Sequence, residues 1–96
     1  MGMDRAQVQI TVRGRVQGVG FRMFVRDAAR RLGLSGWVRN AEDGSVLVQA
    51  AGTGTALEQL LQALQHGPPA ARVDTVLPIW GAPGGPAAEG GFEVRG

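Results

Sequence analysis

The chain has 96 residues and a formal net charge of +2, a length that fits one domain able to bury roughly 60–65% of its unfolded surface in a single core. It has no cysteine, which excludes a disulfide framework, a thiolate nucleophile and a Cys-based metal site; its one histidine, His66, cannot build a zinc site alone. The pI near 11.0 reports missing buffers rather than a basic surface, because with no lysine, tyrosine or cysteine almost nothing titrates between the N-terminal amine and the arginines.

In chain order, Val8, Ile10 and Val12 alternate with Gln7, Gln9, Thr11 and Arg13, the pattern of a half-buried strand over residues 7–13. A helix is predicted over 21–32, with Phe21, Val25, Ala28 and Leu32 on one stripe that Phe24 widens, and with Gly33 as its left-handed stop. Asp27 and Arg31 have i, i+4 spacing for an ion pair, and Arg26, Arg30 and Arg31 read as a solvated face. A short strand follows over Ser35-Gly36-Trp37-Val38-Arg39-Asn40. Asp43-Gly44 marks a hairpin turn, and the return strand occupies 45–51. Thr55-Ala56-Leu57-Glu58 has the spacing of a capping box, ahead of a helix whose Leu57, Leu60, Leu61 and Leu64 face the core. Gly67 and Pro68-Pro69 end it, and His66 in the last turn complements the helix dipole. Residues 71–80 read as a strand that Pro78 confines to an edge or bulge. Residues 81–91, rich in Gly, Pro and Ala, read as a mobile surface loop before a short final strand at Phe92 and Val94.

This order, β-α-β-β-α-β with a short extra strand, predicts an α+β ferredoxin-like sandwich: an antiparallel sheet of four to five strands with two helices on one face. There is no internal repeat and no linker, so residues 1–96 are expected to form a single domain. No apolar run approaches the roughly 18 residues of a membrane helix, and no signal-peptide pattern opens the chain. A cytoplasmic protein without membrane partners is the expectation, and nothing in the sequence demands more than a monomer.

The most informative stretch joins the first strand to the first helix: Gly14-Arg15-Val16-Gln17-Gly18-Val19-Gly20-Phe21-Arg22. Glycines let successive backbone N–H groups converge on one point, and the helix start adds its own unpaired donors and positive dipole end. Arg22 adds a planar, permanently charged fork suited to two oxygens of one phosphate. On physics alone the stretch is either an oxyanion cradle or a Gly-rich turn beside a solvated arginine. It is neither a Walker loop nor a dinucleotide fingerprint, since Gly-Lys-Ser/Thr and the third glycine are absent. No nucleophilic side chain stands beside Arg22, so hydrolysis at such a cradle would need a positioned water. Asn40 ends the strand reached by a right-handed crossover, and its carboxamide can both donate and accept. It is either that water's holder or a plain turn residue.

The stretch from Gly14 to Arg22 resembles the acylphosphatase signature G-x-V-Q-G-V-x-F-R at every fixed position, and Gly36 to Gly52 (GWVRNAEDGSVLVQAAG) is similar to that family's second signature. The resemblance covers nearly the whole chain. It implies an enzyme that hydrolyses the carboxyl–phosphate anhydride of acyl phosphates without metal or organic cofactor. By position, Arg22 matches the phosphate-binding arginine and Asn40 the asparagine that orients the attacking water. The backbone of Arg15, Val16, Gln17, Gly18, Val19, Gly20 and Phe21 matches the phosphate cradle. Inorganic phosphate is then the product and a competitive inhibitor. Rival readings are a phosphate-sensing module without turnover and a carbamoyl-phosphate-handling domain of a larger protein. RNA binding is disfavoured because the exposed alternates of the first strand carry no aromatic ring to stack bases on.

Overall fold

The computed structural model describes residues 5–81 and 91–96. Its elements are β1 (Arg5–Arg15), α1 (Phe21–Arg31), β2 (Ser35–Asn40), β3 (Val46–Thr53), α2 (Gly54–His66), β4 (Arg72–Trp80) and β5 (Phe92–Arg95). The strands form one sheet in the order β4-β1-β3-β2-β5. Strand β3 lies between β1 and β2 and is antiparallel to both, so β1 and β2 run in the same direction with α1 as their crossover. This is the expected ferredoxin-like α+β arrangement with one correction: β5 pairs in parallel with β2, so the sheet is mixed rather than purely antiparallel. After β4, on one edge, the chain returns at the opposite edge and there runs in the direction of β2.

Alternation decides which side chains meet the helices. Val8, Ile10 and Val12 of β1 and Val46, Val48 and Ala50 of β3 are fully buried against Phe21, Val25, Leu57, Leu60 and Leu64. Leu61 of the expected leucine stripe is only half-buried. Strand β1 extends beyond the expected 7–13 at both ends because it has a partner on each side, reaching Thr53 at Arg5 and Arg72 at Arg15. The register slips between Arg13 and Gly14, where φ is 134° and a Cβ would stand 2.2 Å from the Arg72 carbonyl oxygen. Only glycine fits there. Strand β4 is an edge, which accommodates Pro78 opposite Ile10.

Other differences are local. The cap of α2 is Thr53, whose Oγ1 accepts from the Ala56 N–H at 3.1 Å, so the Thr55–Glu58 spacing falls inside a helix already begun at Gly54. Helix α1 ends at Arg31 with Leu32 as its cap, and Gly33 takes the left-handed conformation at φ 72°. Asp27 pairs with its neighbour Arg26 (3.0 Å) rather than Arg31. Arg30 is not merely solvated: its Nε and Nη2 both donate to the Phe92 carbonyl, because β5 runs beside the last turn of α1. The loop expected over 81–91 falls mostly on 82–90, outside the described residues.

Candidate active site

Register and parity place the candidate residues. Val12, Val46 and Asn40 lie in one row across β1, β3 and β2, which sets Asn40 two strands, about 9–10 Å, from the outgoing end of β1. Asn40 shares its face with fully buried Val38, the helix side of the sheet. The chain leaving β1 turns onto that same side to begin α1. Two residues far apart in sequence, Arg22 and Asn40, thus come to line one cavity of about 110 Å³ with Val16, Gly18, Gly20, Phe21 and Met23.

The cradle loop owes its shape to glycine conformation rather than crowding. Gly18 and Gly20 have φ of 75° and 79°, yet among the described residues nothing lies within 4 Å of a Cβ added at either. Their open side is where a ligand can approach the backbone. Gly20 is also the N-cap of α1; it offers no capping side chain, and the first turn holds no acidic residue. The first turn therefore brings no negative charge of its own to its free donors and dipole end. Arg22 is half-buried, and its Nη1 donates to the Arg95 carbonyl at 2.9 Å, which braces the guanidinium against β5. The Asn40 Oδ1 is buried without a hydrogen-bond partner among the described residues. A buried acceptor left open is costly unless something polar comes to it.

Not every residue expected in the cradle faces the cavity. Val16, Gly18, Gly20, Phe21 and Arg22 line it, whereas Arg15 ends β1 opposite Arg72, and Gln17 and Val19 are not in the lining. The Gln17 side chain turns to the β2–β3 hairpin, donating from Nε2 to the carbonyls of Ala41 (2.8 Å) and Ser45 (2.9 Å). That partner was not visible in the sequence, since a lone glutamine among glycines carries no mark of what it reaches. The hairpin itself turns as Asp43-Gly44 predicts, with φ 93° at Gly44. Asp43 accepts from the Ser45 hydroxyl (2.6 Å), the Ser45 N–H (3.0 Å) and Arg13 (3.0 Å). Those bonds, with the Ser45 hydroxyl foremost, hold its carboxyl well below the usual range, at about 2.

Two larger hollows, of about 640 and 510 Å³, lie toward the opposite end of β1. The first contains Arg30, which is already committed to the Phe92 carbonyl, and neither holds a glycine-rich helix start.

The acylphosphatase family model matches residues 8–94. An acylphosphatase of Salinibacter ruber is 52% identical over 89 residues, covering 93% of this chain and 92% of that protein. The crystal structure of acylphosphatase from Bacillus subtilis superposes with a TM-score of 0.82 at 37% identity, over 94% of this chain and 98% of that one. The acylphosphatase of Coxiella burnetii does so at 0.84 and 35%, over 96% and 94%. A family match across both glycine-bearing signatures, with relatives matched over nearly their full length, has one reading: the chain belongs to the acylphosphatase family.

Proposed function

We propose that this chain hydrolyses acyl phosphates in the cavity between Arg22 and Asn40, releasing a carboxylate and inorganic phosphate. Membership of the family carries the activity itself, a hydrolase acting on the carboxyl–phosphate anhydride. The observation that carries the site is the shared cavity: the glycine loop, Arg22 and Asn40 together line about 110 Å³. That space is small beside the roughly 300–1,000 Å³ of pockets that enclose a whole ligand. The acyl group then projects past Met23, which is half-exposed at the rim.

The chemistry asks little of side-chain acids and bases. A carboxylate is a good leaving group and needs no proton. Phosphoryl transfer depends mainly on positioning and charge neutralisation. The loop N–H groups and Arg22 hold the three phosphoryl oxygens, and the Asn40 carboxamide hydrogen-bonds a water set in line with the scissile bond. As the water oxygen bonds to phosphorus, the bond from phosphorus to the acyl oxygen breaks. Among the described residues the lining has no carboxylate or imidazole, so the water's proton passes to a phosphoryl oxygen. In this reading, the chain acts as one domain and a monomer, and product phosphate competes for the cradle.

The test is hydrolysis of benzoyl or acetyl phosphate in ¹⁸O-labelled water. Label in the released phosphate is expected; label in the carboxylate would place the attack on carbon and overturn the mechanism. Phosphate binding without turnover would instead make the chain a sensing module.

A further inference from the structure

We propose that Gln17 is a positioning residue: its side chain fixes the separation between the phosphate cradle and Asn40, and so acts on attack by water rather than on phosphate binding. The proposal rests on the catalytic reading above. Among the described residues, no backbone–backbone hydrogen bond outside the helices and strands holds residues 16–19. Their N–H groups are left for a ligand, and the loop needs another restraint. Gln17 supplies it with one nitrogen, which donates to Ala41 O at 2.8 Å and Ser45 O at 2.9 Å.

Those two carbonyls bracket the hairpin turn that follows Asn40. Ala41 is the next residue along the chain, and its own N–H donates to the Ser45 carbonyl at 2.8 Å. Ser45 immediately precedes Val46, the cross-strand partner of Asn40. The carboxamide is thus pegged across the base of the turn that carries Asn40, while its neighbours Val16 and Gly18 line the cavity. The peg needs two hydrogens on one atom at the end of a three-atom arm. Glutamate has the arm without the hydrogens and would set a charge against two carbonyl oxygens. Methionine fills the space without donating.

The experiment compares wild type, Gln17→Met, Asn40→Ala and the double variant, measuring kcat and KM for benzoyl phosphate, Ki for inorganic phosphate, and Tm. Misplacement on the scale of 1 Å can cost about 10²-fold in rate, so Gln17→Met is expected to lower kcat by about 10–10² while Ki changes less than about threefold. In the Asn40→Ala background the same substitution should lower kcat by no more than about threefold, because the residue it positions is gone. Losses that multiply in the double variant would overturn the proposal. So would a Ki rising in step with the fall in kcat, or a lower Tm with kcat unchanged below the transition. Should Gln17→Met not fold, Gln17→Asn keeps both hydrogens on a shorter arm, and the same signs are expected and the same results overturn it. If wild type releases no phosphate, the catalytic reading fails. If it does and both Gln17 variants match its kcat, only this inference fails.

Discussion

Arg22 bears the largest expected consequence of any single side chain. A guanidinium that meets transition-state charge in phosphoryl transfer is worth about 10³–10⁵ in rate. Arg22→Ala should therefore abolish measurable phosphate release, and Arg22→Lys should recover little, because a point charge cannot span two oxygens or brace on the Arg95 carbonyl as the fork does. Near-normal turnover in Arg22→Lys would remove the fork from the mechanism. For Asn40→Ala the expected fall in kcat is about 10²–10³, the cost of one preorganised polar group, with phosphate still binding. Loss of phosphate binding, read by titration calorimetry, would make Asn40 a ligand instead. The stretch that holds Arg22 stands out in the sequence by its glycines, whereas Asn40 reads equally as a plain turn residue and is singled out only by the resemblance to the family's second signature. Gln17 was legible only as loop backbone. The direction of its side chain depends on carbonyls 24 and 28 residues away, which no local pattern encodes.

Among the elements, the β2–β3 hairpin matters most, since it sets where Asn40 sits. Its turn is closed by the Asp43 carboxylate, whose pKa falls from the ordinary 3.8 to about 2 through bonds to Ser45 and Arg13. A group with a depressed folded-state pKa contributes stability that is fully present above its unfolded value and is lost as pH falls through the folded one. The turn should therefore hold at neutral pH and loosen between about pH 4 and pH 2. Amide exchange at Gly44 and Ser45 reads that step, and Asp43→Asn should remove it; an unchanged step in the variant would assign it to another carboxyl. The turn was legible from Asp43-Gly44, as were both helices from their stripes. The start of α2 was not: Thr55-Glu58 satisfies the spacing of a cap, and β3 runs on to Thr53 only because β1 continues opposite it to Arg5.

For the molecule as a whole, local patterns foretold the layers and the core but not the far edge of the sheet. Val8, Ile10, Val12 and the leucines announced their burial by periodicity. The parallel seating of β5 beside β2 could not be read that way, because four residues carry no sign of direction. The buried leucines of α2 contribute nothing to the cavity lining, although they share one core with Val16 and Phe21, which do line it. Leu60→Ala should thus cost about 2–5 kcal/mol and lower Tm by on the order of 10–20 °C. At 25 °C its kcat should match wild type; a parallel loss of turnover would show that the sandwich interior and the cradle are not separable. The modest size of the hollow beside Arg22 also has a meaning beyond mechanism. On this reading, what is enclosed is the part that all acyl phosphates share, and what differs among them stays outside. Preference for one metabolite over another can then drift through changes around Met23 over generations, while the machinery that breaks the bond is left alone.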